Sequence, residues 1–185
     1  MNGIWRRSAS LKATEPQSAA ALAVLILLTI GAMLAYSRIG AGWHLHLPGH
    51  QGLIRITVML LAARGFGLPW SATTIAAGAG TVDWYMPAHA LDPVTPLGYF
   101  LCGLVIDLSL RAAPAWRGHA VFLAAVGAAA SVSKPLTLWL IAAVSNLEFT
   151  SLSHGLAYPL MSHLAFGMGA GLFAAGLISV LTRRN

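Results

Sequence analysis

The stretch AAALAVLILLTIGAMLAY, from Ala19 to Tyr36, decides the fold. Its 18 residues carry no charge. A helix of that length, rising ~1.5 Å per residue, spans roughly 27 Å, close to the hydrocarbon core of a bilayer. Arg6, Arg7 and Lys12 precede it, which resembles the start of a secretory signal. The run is longer than a signal's apolar core, and more apolar runs follow it instead of a soluble domain. It is expected to be a retained first membrane span.

Outward from this stretch the pattern repeats. Of the 185 residues, 57% are hydrophobic and 9% charged, against about 25% charged in soluble domains. The mean hydropathy is +0.73. The formal charge of +6 does not point to nucleic acid, because the basic residues sit at the ends of apolar runs and do not line one face. Five further spans are expected at 53–68, 70–84, 96–110, 119–147 and 154–181. The second is the weakest, interrupted by Arg55 and Arg64. Because spans two and three are short, a re-entrant hairpin is their alternative. Span five carries Lys134-Pro135 in its middle, where a kink or tilt is expected. The fold class is therefore an all-α integral membrane protein of about six helices, with a basic tail at 1–18 and a single transmembrane domain at 19–185.

Charge sets the orientation. With the N-terminus inside, the cytoplasmic segments hold Arg6, Arg7, Lys12, Arg64, Arg111, Arg117, Arg183 and Arg184, while the outer ones hold Arg38 and Arg55. The excess of inner cations places both termini in the cytoplasm. The expected location is the inner (plasma) membrane, with multiple passes.

In that topology five of the seven histidines and three of the five acidic residues fall on the outer face. The first outer loop holds His44, His46 and His50. The next holds Asp83, Trp84, Tyr85, His89 and Asp92, and the last holds Glu148 and His154. His44 and His46 share a side of an extended segment, and a Pro-Gly turn can fold His50 back towards them. Imidazole suits a metal ion, haem iron or an organic ligand, so these three are the metal candidates. The plain reading of each is an interfacial residue. Lys134, deep in span five, is by default a functional residue, or else an interior lysine paired across the kink. Asp107, one turn before Arg111, is expected to form an ion pair along its own helix, and His163 a hydrogen bond to a neighbouring helix. The lone Cys102 rules out an intrachain disulfide. Small residues recur at four-residue spacing in Ala72, Ala76 and Gly80, and in Gly167, Gly171 and Ala175. They serve either close packing within the chain or docking of a partner subunit. No nucleophile elbow, zinc-protease motif, P-loop or dinucleotide fingerprint is present, so enzymatic activity is not expected.

With this size, six apolar spans, inner termini and a long first outer loop, the chain resembles the substrate-binding S components of energy-coupling factor transporters. The resemblance covers nearly the whole chain. It implies capture of a vitamin-like molecule, a loop that helps to close the site, and docking on a transmembrane coupling subunit served by ATPases. Docking would use small residues of the first helix, here Ala19 and Ala23. Nickel and cobalt members begin Met-His, whereas Asn2 follows Met1 here, which speaks against a bare metal ion and for a vitamin or a metal-containing cofactor such as cobalamin. The pocket would then be lined by His44, His46, His50, Asp83, Trp84, Tyr85 and His154 above Lys134, with Gly167 and Gly171 as further docking positions. The competing readings are a membrane redox or metal-dependent enzyme with haem or a metal on the histidines, and a structural subunit of a membrane complex.

Overall fold

The computed structural model describes residues 49–65, 70–84, 94–145 and 155–183, together with isolated positions outside these ranges. Within them the chain is all helical. The helices are α1 (Gly52–Gly65), α2 (Ser71–Trp84), α3 (Val94–Ala112), α4 (Ala120–Ser145) and α5 (Ala157–Arg183), with a 3-10 turn at Pro114–Trp116 between α3 and α4. They fall on the apolar runs expected for spans two to six. The first run lies mostly outside the described residues, although Ala20, Ala23, Val24, Leu27 and Gly31 are helical and exposed.

Among the described residues, two helices are long and apolar enough to cross a membrane: α4, and α5 over Ala157–Leu181. The 14 residues of α1 and of α2 reach only ~21 Å each, short of a bilayer core of about 30 Å. On α5, Met161, Leu164, Met168, Leu172, Phe173 and Val180 are exposed. An apolar face of this kind needs lipid or protein to cover it.

The helices form a ring in which α2 packs on α3, α3 on α4, α4 on α5 and α5 on α1, and α1 also touches α2, α3 and α4. This makes α1 the inner helix. None of its residues of described burial is exposed, and Arg55, Ile56, Thr57, Met59, Leu60 and Ala62 are buried. Arg55 and Arg64 weaken this run as a lipid-facing span, but neighbouring helices surround it, so the arginines need not meet lipid.

Glycines set the closest contacts. A Cβ on Gly127 or Gly167 would strike the other residue's carbonyl oxygen, and one on Gly171 would strike that of Leu123. The small residues Gly167 and Gly171 are buried against α4, where van der Waals contact holds the two backbones together. The face they form is filled by the chain itself, which corrects their assignment to a partner-docking surface. Similarly, a Cβ on Gly103 would lie 2.6 Å from the Ala72 carbonyl oxygen and 2.7 Å from the Ala76 Cβ, so α3 approaches α2 there.

That approach gives Asp107 its partner. The carboxylate is buried in α3 and accepts hydrogen bonds from the Thr73 amide at 2.8 Å, the Thr73 hydroxyl at 2.7 Å and the Ala72 amide at 3.4 Å. It satisfies orphan amides in the first turn of α2, where a helix N-terminus favours negative charge. The expected ion pair with Arg111 is thus replaced. Arg111 instead lies 3.7 Å over the ring of Trp70, whose φ of 65° places it in the left-handed region. Arg117 Nε donates to the Leu110 carbonyl at 2.6 Å, capping the end of α3. Arg64, Arg111 and Arg117 gather where α1 and α3 end and α2 begins.

Candidate functional site

The opposite end of the bundle brings together the start of α1, the end of α2, the start of α3, the second half of α4 and the start of α5. Its centre is Tyr99, on the second turn of α3 and 2% exposed. Two cations face this one ring. The Arg55 guanidinium carbon of α1 lies 4.0 Å from the ring centroid, and Lys134 Nζ of α4 lies 5.6 Å from it. Glycines make the room. A Cβ on Gly80 would come within 3.0 Å of the Tyr99 Cβ, and one on Gly98 within 3.1 Å of the Lys134 Cγ, so α2 crosses close over the tyrosine and the lysine stem passes along α3.

Arg55 is 8% exposed. Among the described residues its only hydrogen-bond acceptor is the Gln51 carbonyl, 3.4 Å from Nε, and no carboxylate pairs with it. Enclosing a charged head group away from water costs several kcal/mol. A cation–π contact recovers about 0.5–2 kcal/mol of that. The ring contact therefore offsets only part of the cost of enclosing Arg55, and Lys134 brings a second positive charge to the same ring.

One turn away, the backbone of α4 explains a neighbouring contact. Pro135 has no N–H, so the carbonyl of Ser131, four residues earlier, loses its usual helical donor. His163 of α5 takes its place, with Nδ1 3.0 Å from that carbonyl oxygen and 3.3 Å from the Ser131 hydroxyl oxygen. A carbonyl only accepts, so Nδ1 carries the proton in this contact. The Ser133 and Thr137 hydroxyls donate to the carbonyls of Ala130 and Ser133 at 2.6 and 2.7 Å, completing the polar backbone around the proline. His163 thus bonds across to its neighbouring helix, as its position suggested.

The turn before α1 closes over this contact. Gly49 has a φ of +85°, and a Cβ there would lie 2.9 Å from the His163 Cγ, so both backbone and space call for glycine. His50 follows, its ring edge-on to Phe166 of α5 with centroids 6.4 Å apart.

Of the residues expected to bind substrate, Lys134 lies in the centre itself and His50 on its α5 flank. Trp84 is exposed at the last turn of α2, one turn beyond Gly80. Asp83 belongs to the same turn by its backbone. His44, His46, Tyr85 and His154 lie outside the described residues, as does Ala19, while Ala23 is exposed. Among the described residues no group of three or more His, Cys, Asp or Glu side chains could hold a metal ion. Sequence reading missed Arg55 and Tyr99. Arg55 carried a signal, a cation one turn into an apolar run, whereas Tyr99 looked like any aromatic near a helix end. Comparison with family models, curated proteins and solved structures gave no match.

Proposed function

We infer that this protein is a membrane-embedded receptor that captures a small, vitamin-like molecule for uptake. The supporting observation is the convergence of Arg55 and Lys134 on the buried ring of Tyr99. Polar groups are costly at this depth and mark binding sites in membrane bundles. In this reading six spans cross the inner membrane with both termini in the cytoplasm. The end bearing Arg64, Arg111 and Arg117 is the inner one, in keeping with the distribution of positive charge. The Tyr99 centre then lies towards the outer face.

The resemblance to energy-coupling factor S components supplies the rest of the proposal: a transmembrane coupling subunit and ATPases provide the energy, and docking on that subunit uses Ala19 and Ala23 of the first apolar run. Native mass spectrometry of the full chain released from mild detergent tests the receptor reading. A stoichiometric small-molecule adduct that rebinds after removal is expected. A bare chain, with flat titrations against a vitamin panel, would overturn it.

A further inference from the structure

We propose that the end of the bundle opposite the Tyr99 centre binds the headgroup of an anionic phospholipid through Arg64, Arg111 and Arg117. The inference rests on the membrane reading of the chain and is independent of the receptor role. Arg64 and Arg111 stand in the last turns of α1 and α3, and Arg117 follows α3. An arginine in such a place ordinarily serves the carbonyls that end its helix. Arg117 does so at Leu110, 2.6 Å away. The other two do not. Arg64 is half-buried, and its enclosed Nε has no hydrogen-bond partner among the described residues. Arg111 is turned onto the face of Trp70, 3.7 Å from the centroid. In the first turn of α2, the fully buried Ser71 has a hydroxyl that is likewise unpartnered. Buried polar groups are satisfied in nearly all native sites, and phosphate oxygens accept from guanidinium and hydroxyl alike.

The surface leading to Arg111 separates a lipid from a free phosphate. Leu97, Phe100 and Leu108 are exposed on α3, and Leu104 is half-buried. With Arg111 they succeed one another at spacings of 3, 4, 4 and 3 residues, which makes one stripe along the helix. At ~1.5 Å per residue the stripe runs about 21 Å. That accommodates one acyl chain of a single leaflet, whose share of the hydrocarbon core is roughly 15 Å. An amphiphile with a phosphate head and an apolar tail matches both parts. Trp70 is exposed beside Arg111 and holds a left-handed φ of 65°. Strain of this kind gathers at ligand clamps, and tryptophan belongs at headgroup depth. A cluster of arginines at one end of membrane helices favours an anionic headgroup over a zwitterionic one.

The test uses the full chain in dodecyl maltoside and follows thermal unfolding as phosphatidylglycerol, phosphatidylcholine or inorganic phosphate is added. Phosphatidylglycerol should raise the midpoint saturably, phosphatidylcholine much less and inorganic phosphate not at all. Arg64→Gln and Arg111→Gln should each weaken phosphatidylglycerol binding by roughly ten- to a hundredfold. Arg111→Lys keeps the charge and loses the planar fork, so it should bind with intermediate strength. Midpoints without lipid verify folding. Arg111 is exposed, so its variants remain informative even if Arg64→Gln does not fold. Arg55→Gln, at the other end of the bundle, should bind phosphatidylglycerol as the native chain does. Equal shifts with the two lipids, an equal shift with inorganic phosphate, or undiminished binding in Arg111→Gln each overturn the proposal. So does binding that is lost in Arg55→Gln and kept in Arg111→Gln. A chain that binds phosphatidylglycerol as described but carries no small-molecule adduct overturns the receptor reading and leaves the lipid site standing.

Discussion

Replacing Pro135 and His163 singly and together gives the sharpest test of the packing around the site. In the native chain, His163→Ala leaves the Ser131 carbonyl without the donor that stands 3.0 Å from it. A buried acceptor left unpaired costs about 1–3 kcal/mol. Pro135→Ala restores an N–H at position 135, one turn along α4 from that carbonyl, and the helix can supply the bond itself. His163→Ala should then cost less in the Pro135→Ala background. The cavity left by the lost imidazole is common to both arms and cancels. Interhelical hydrogen bonds in membrane proteins measured by such cycles average about 0.6 kcal/mol and reach about 1.7, so a coupling near 1 kcal/mol is expected. Reversible unfolding in mixed dodecyl maltoside–SDS micelles, followed by tryptophan fluorescence, would measure it. Costs of His163→Ala that agree within about 0.3–0.5 kcal/mol in the two backgrounds mean independent sites, and the link between the proline and the histidine would be refuted.

Other outcomes follow from the same contacts and can be read in the same unfolding assay. Asp107→Ala strands the Ala72 and Thr73 amides and the Thr73 hydroxyl and should cost about 3–5 kcal/mol, with Asp107→Asn costing less because one acceptor oxygen remains. A native midpoint in Asp107→Ala would remove the cap from the account. Gly171→Ala, pressed against the Leu123 backbone, should destabilise by ~1–3 kcal/mol or more, whereas Gly176→Ala meets nothing within 4 Å and should be neutral or stabilising by up to ~1 kcal/mol. Equal effects would mean that α4 and α5 are not in close contact. At Trp70, glycine relieves a left-handed backbone worth ~1–2 kcal/mol while losing the Arg111 stacking of about 0.5–1 kcal/mol. Alanine keeps the strain and loses the stacking. Trp70→Gly should therefore be the more stable of the two variants, and the reverse order would contradict the geometry.

Long apolar runs made α4 and α5 legible in the sequence, because a helix long and apolar enough to cross a membrane carries few charges to interrupt its run. The same logic misjudged the importance of α1. Its run looked weak because hydropathy weighs each residue against lipid, whereas Arg55 and Arg64 belong to a helix wrapped by others. Asp107 shows a second limit. Its spacing to Arg111 suggested a pair within one helix, but Gly103 lets α2 come so close that backbone donors of another helix reach the carboxylate first. The small residues at 167 and 171 had two readings from spacing alone, and only the position of Gly127 and Leu123 across the interface distinguishes them. Within the site, Lys134 was legible because a cation inside a long apolar run is conspicuous wherever its partners lie. Tyr99 acquires its role from two side chains on other helices, 44 and 35 positions away in the chain, and no local pattern encodes that meeting. The Pro135–Ser131–His163 contact lies between these cases. The proline names the freed carbonyl by counting back four residues, but not the helix that answers it.

The binding centre itself is tested most directly by weighing the intact chain, released from mild detergent, beside Arg55→Gln and Lys134→Gln prepared in parallel. The native chain should carry one small molecule that is lost or strongly depleted in Arg55→Gln, with both variants still folded. An adduct retained at full occupancy in both variants would place the ligand elsewhere and contradict a binding centre at Tyr99.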